Sequence, residues 1–82
     1  MAFTVKAIPN PFESEYVLMV QGGNQTSVQV VVYDMLGKQV EQFSVKAIEL
    51  ENHSLGTNYR SGIYNVLISQ GDNQQVVRMI KK

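Results

Sequence analysis

Between Ser61 and Lys82, two runs of alternating side chains flank a Gly71-Asp72 break, and a chain that carries such a stretch has few ways to fold. Two β-rich runs either side of a Gly-Asp pair read as a hairpin. In the first run Tyr64, Val66 and Ile68 share a face, because strand side chains point alternately to opposite sides. That aromatic and β-branched face is expected to be buried. The opposite face carries Ile63 and Leu67 beside Asn65, which predicts partial cover on both sides and a central rather than an edge position. Tyr64, in its Gly62-Ile63-Tyr64 setting, is expected to be the best anchored residue. Lys81 and Lys82 follow the second run and read as an accessible basic tail that, with the carboxylate, a partner can grasp.

The rest of the chain repeats the same pattern in shorter pieces. Phe3, Val5 and Ala7 alternate in a first strand that ends at Pro9-Asn10-Pro11. Each proline fixes its own φ and holds the preceding residue extended, so this is a stiff corner unable to donate freely to a ladder, with Phe12 as an apolar anchor beyond it. Glu15–Gln21 is a second strand, with Tyr16, Leu18 and Val20 on one face, and Gly22-Gly23-Asn24-Gln25 is a turn. Val28, Val30 and Val32 face the core in the next run, while Val31 and Tyr33 imply cover on the far side.

Asp34-Met35-Leu36-Gly37-Lys38 has the chemistry of a tight hairpin loop, Asp starting it and Gly37 taking the left-handed position. In the return strand Val40 is out of parity with Phe43 and Val45, a mismatch that a β-bulge absorbs. Ala47–Glu51 alternates and predicts a short strand with Ile48 and Leu50 inward. Asn52–Arg60 is a loop pinned by Leu55 and Tyr59. Seven short runs spaced by turns, with no helical period, predict an all-β antiparallel sandwich.

Composition narrows the function. The 82 residues make one domain, which at this size buries only about 60–65% of its unfolded surface and holds roughly 4–12 kcal/mol of net stability. Seven basic and seven acidic residues cancel and are dispersed, which disfavours nucleic acid. Without cysteine there is no disulfide, thiol nucleophile or thiolate metal site. No apolar run exceeds the four residues Val17–Val20, far short of a membrane span. Nor does the N-terminus read as a signal peptide, so any export signal is expected on a larger precursor.

Catalysis finds little support. His53 is the single histidine, and adjacency to Ser54 does not make a nucleophile and base, since these must converge in space with an orienting acid. Glu13 with Glu15, and Glu49 with Glu51, are paired carboxylates on extended segments and supply too few oxygens for a hard cation. They read as solvated faces. Asn24-Gln25-Thr26 and Asn52-His53-Ser54 match the glycosylation sequon, a short pattern with many chance hits. Neither catalytic residues nor a cofactor or metal site are expected.

Three motifs in order carry a resemblance. Ile8-Pro9-Asn10-Pro11-Phe12, then Val32-Tyr33-Asp34-Met35-Leu36-Gly37-Lys38-Gln39-Val40, then Leu55-Gly56 with Ser61-Gly62-Ile63-Tyr64 ahead of Lys81-Lys82, resemble the type A C-terminal sorting domains of the type IX secretion system. The likeness spans nearly the whole chain, although Thr57-Asn58-Tyr59-Arg60 is longer than many members have before the Gly-Ile-Tyr.

The resemblance implies a seven-stranded immunoglobulin-like sandwich, residues 1–82, at the end of a larger cargo protein from Bacteroidetes. It implies an address rather than an enzyme. Cargo crosses the periplasm, an outer-membrane translocon with its shuttle proteins recognises the folded domain, and a sortase usually removes it while joining cargo to surface lipopolysaccharide; some members stay uncleaved as parts of the machinery. By position, Pro9, Asn10, Pro11 and Phe12 correspond to the first family motif, Gly37 to the second, and Gly62, Tyr64, Lys81 and Lys82 to the third. Together they are the expected recognition residues. The rival is a non-catalytic β-sandwich adhesion or interaction module in which the same residues only build the fold. Exposed edge strands and the loops at Gly22-Gly23 and Asn52–Arg60 further predict that the isolated domain forms a strand-exchanged homodimer.

Overall fold

The computed structural model describes residues 3–23 and 26–82. Its strands are β1 (Thr4–Ile8), β2 (Val17–Gln21), β3 (Ser27–Tyr33), β4 (Gln39–Lys46), β5 (Gly62–Gln70) and β6 (Asn73–Lys81). They form two antiparallel sheets: β1 pairs with β2, and the larger sheet runs β4-β3-β5-β6. One core lies between them. Val5 and Leu18 come from the small sheet, and Val28, Val30, Val32, Tyr64, Val66, Ile68 and Met79 from the inner face of the large one. The terminal hairpin folds as expected, with Gln70 opposite Asn73 across Gly71-Asp72 and with β5 inside the sheet.

Val40 behaves as its parity requires. Val32 pairs with Glu41 but Tyr33 pairs with Gln39, so Val40 is the extra residue of a bulge and lies exposed while Phe43 and Val45 stay on the core face.

Two expectations are corrected. Six strands stand among the described residues rather than seven, because Ala47–Asn52 is a 3-10 helix. At about three residues per turn, Ala47 and Leu50 share its inner side. Leu50 is fully buried while Ile48 is turned out to solvent. Second, β2 begins at Val17 rather than Glu15, although Tyr16 still makes an isolated antiparallel bridge to Leu55. The outward faces of β3 and β5 are covered in part, as expected: Val31, Tyr33, Ile63 and Leu67 are half-buried where the inward Val30, Val32, Val66 and Ile68 are fully buried. The Asn24-Gln25 part of the expected turn, and with it the Asn24-Gln25-Thr26 sequon, lies outside the described residues.

Candidate functional site: a stitched corner at one end of the sheets

The proline corner and the chain's last residues are built into one another, although Asn10 and Ile80 stand 70 positions apart. Pro9 and Pro11 both follow cis peptide bonds. The chain leaves β1 there and arrives alongside the outer edge of β6. An edge strand offers unpaired N–H and C=O groups, and Asn10 answers them with its side chain. Its Nδ2 donates to the Arg78 carbonyl at 2.9 Å, and its Oδ1 accepts from the Ile80 N–H at 3.2 Å. A carboxamide has the same donor and acceptor as a peptide group, so Asn10 stands in for a stretch of strand where proline has no N–H to offer. Phe12 then supplies real backbone: its N–H donates to the Ile80 carbonyl at 2.9 Å, and its carbonyl accepts from the Lys82 N–H at 3.0 Å. The corner thus does join a ladder, through Asn10 and Phe12 rather than through the prolines.

The basic tail is correspondingly not free. Lys81 is the last residue of β6, opposite Gly62, and its ammonium donates to the Glu13 carbonyl and lies 5.3 Å from the centre of the Phe12 ring. Lys82 sits 4.0 Å from the Glu13 carboxylate, an exposed pair worth little by itself. Asn10→Ala should cost about 1–2 kcal/mol through its two lost bonds, and should speed hydrogen exchange at the Ile80 amide while leaving that of Val66 unchanged. Native-state exchange measured residue by residue checks this; equal protection at Ile80 in both proteins would remove Asn10 from the clasp.

Behind the corner lies an aromatic cluster. The Phe12 ring is fully buried and stands 4.8 Å from Tyr16 and 6.1 Å from Tyr59, which in turn meets Tyr64 at 4.7 Å. Gly56 lies flat against Phe12, where a Cβ would come within 2.5 Å of the ring. The Tyr59 hydroxyl donates to Glu41 at 2.7 Å and that of Tyr64 to the Arg60 carbonyl at 2.6 Å. Burial pushes the Tyr16 phenol up to about 12, against the opposing effect of the neighbouring Tyr59 hydroxyl, and among the described residues its oxygen has no hydrogen-bond partner of good geometry. Burial also raises Tyr59, reinforced by its bond to Glu41. Tyr16 and Tyr59 are therefore both held neutral at physiological pH.

Gly37 sits where the loop chemistry puts it. Asp34 Oδ1 accepts from the Leu36 and Lys38 N–H groups at 2.9 Å each, Gly37 donates to the Asp34 carbonyl at 3.0 Å, and Gly37 adopts φ +81°. Asp34, Met35 and Leu36 line one shallow concavity with Ser61, Gly62, Ile63 and Tyr64. Because Gly62 pairs with Lys81 and Lys82 with Phe12, all nine predicted recognition residues gather at one end of the sheets. They differ in what they present. Pro9, Asn10, Pro11, Gly37, Gly62 and Lys82 are exposed, Lys81 is half-buried, and Phe12 and Tyr64 are buried, so the last two shape this end without offering a surface of their own.

The other candidates stay apart. Glu13, Glu15, Glu49 and Glu51 are exposed. His53 is not simply solvated: it is half-buried and stacks on Phe43 with ring centres 3.9 Å apart. Sequence reasoning misses two features. The packing role of Gly56 is signalled only by its place after buried Leu55, and the Asn10 mimicry by nothing local.

Comparison with curated proteins finds no significant match. The family model for the secretion system C-terminal sorting domain matches residues 6–82, which takes in the corner, the Gly37 loop and the terminal hairpin. On that match, the chain belongs to the type IX secretion C-terminal sorting domain family.

Proposed function

We propose that this domain is the non-enzymatic address of a larger cargo protein, recognised as a folded unit in the periplasm by the outer-membrane translocon and its shuttle proteins and then handled by a surface sortase. Family membership implies export across the outer membrane to the surface or the medium. The observation that carries the finer reading is the corner: residues of all three family motifs converge at one end, where six of the nine are exposed. An adhesive module gives no reason for that convergence.

The immunoglobulin-like reading of the fold has its own support. The β4-β3-β5-β6 order matches the C′-C-F-G sheet of such sandwiches, with β1 and β2 as A and B. The Phe12 bridge, parallel to Lys81, is the contact that a strand A continued onto the second sheet would make, and the Leu55 bridge to Tyr16 lies where a seventh strand would pair with strand B.

The test replaces charge without removing backbone, since deleting Lys82 would also remove the N–H bonded to Phe12. Lys82→Ala, in a passenger fusion expressed in a host with the secretion system, should melt cooperatively near the parent temperature, since its ion pair with Glu13 is exposed. Its passenger should accumulate in the periplasm, export falling by about tenfold as a charge-assisted contact is lost. Full export from the folded variant would take the Lys82 charge out of recognition.

A further inference from the structure

We propose that the outward face of the large sheet, from its middle to the Met35-Leu36 tip, is a docking surface for an apolar protein partner edged with acidic side chains. This rests on the sorting reading and says which surface the machinery touches.

The register orders that face into rows. Ser44, Gln29, Ser69 and Gln74 form one, entirely polar. The next row towards the stitched end is Gln42, Val31, Leu67 and Val76; then come Tyr33, Asn65 and Arg78; then Ile63 and Ile80. Beyond them stands the tip, where Leu36 is 93% and Met35 62% exposed. Val76 at 61% and Ile80 at 41% continue the apolar surface along β6. The outward face of a sheet packed on one side should alternate to polar residues, and the polar row shows that this sheet does so at its far end. The apolar half is therefore a local property, confined to the part of the face that leads to the recognition motifs and interrupted there by Asn65 and Arg78. Exposed apolar side chains gathered on one face mark interaction sites.

The tip is also rigid. Four hydrogen bonds close the loop, three of them to Asp34 as acceptor and one from its N–H to Lys38. Leu36 is held out by the turn rather than by mobility, so docking it costs little ordering entropy.

Charge selects the occupant. None of the seven carboxylates lies on the outward rows of this half, whereas Arg78 does; Lys38 flanks the tip, where the Asp34 carboxylate is taken up by the Leu36 and Lys38 N–H groups. A second copy of the same face would set Arg78 against its own kind. A partner with carboxylates around an apolar socket satisfies both the charge and the exposed Leu36.

The test uses a passenger fusion of the full chain in a host with the secretion system. Met35→Ser with Leu36→Ser, and separately Val76→Thr with Ile80→Thr, should each lower export at least about tenfold, since each removes two apolar anchors. Arg78→Glu should lower it similarly, while Gln29→Ala with Gln74→Ala on the polar row should leave it unchanged. All positions are exposed, and thermal melts of the purified domains should stay close to the parent. Normal export of both apolar variants overturns the docking face but leaves the sorting reading standing. A parent fusion that is itself not exported overturns the sorting reading, and this proposal with it. Sedimentation showing a dimer that Met35→Ser/Leu36→Ser abolishes would assign the face to self-association. Flotation of the domain with phosphatidylethanolamine–phosphatidylglycerol vesicles, lost in the same variant, would assign it to a lipid surface. Either result would overturn the proposal.

Discussion

Phe12→Ala is expected to take away roughly a third or more of the domain's stability. Deleting a fully buried phenylalanine costs about 3–5 kcal/mol, and a chain of this size holds roughly 4–12 kcal/mol in all. Phe12 is fully buried against Tyr16 and Gly56, and its ring also underlies the Lys81 ammonium. Little can collapse into the space, since the neighbouring rings are held by their own contacts and Tyr59 by its bond to Glu41. Urea unfolding followed by far-ultraviolet circular dichroism reads the loss directly. A drop below about 1 kcal/mol would mean that the ring is not the keystone its burial indicates.

Gly56→Ala is expected to be nearly as damaging, for a reason unrelated to lost contact area. At φ +91° an alanine is strained, and its Cβ would lie 2.5 Å from Phe12 Cε2 and 2.9 Å from Cζ. Backbone strain of about 1–3 kcal/mol adds to overpacking of similar size, so a total of roughly 2–6 kcal/mol is expected. Gly37 supplies the control. Its φ is +81° but nothing lies within 4 Å of the place a Cβ would take, so Gly37→Ala carries the backbone strain alone. The difference between the two variants, measured by the same urea titration, isolates the collision with the ring. A Phe12→Leu background should then relieve part of the Gly56→Ala cost. Equal losses at both glycines would show that the ring yields freely.

What residues in order reveal is mostly local. The strands are legible because β-branched and aromatic residues alternate with a period that only a half-buried pleat requires, and Val40 announces its bulge by breaking that period. Ala47–Asn52 misleads because Leu50 satisfies a period of two and a period of three alike; what decides between them is the position of Ala47 against the core, which no local pattern carries. The candidate site is legible as a set of motifs but not as a place. That Pro9–Phe12 and Ile80–Lys82 touch depends on the course of β1 and β6 through separate sheets. The side chain of Asn10 acts as backbone only because an edge happens to lie beside it. The apolar character of Ile63 and Leu67 suggests partial cover, and the structure leaves both half-buried.

The bonds between Phe12 and the segment Ile80–Lys82 also set an order of events. Synthesis runs from the N-terminus, so Phe12 exists long before Ile80, and the loop that joins them spans most of the domain. Closure of so long a loop is entropically the most demanding contact and comes late. Until Lys82 has been made, Phe12 lacks the N–H that its carbonyl accepts, and before Lys81 the aromatic cluster lacks its lid. The corner is therefore the part of the domain that closes last: without the Lys82 N–H it lacks one of the two backbone bonds that join Phe12 to β6 and its end.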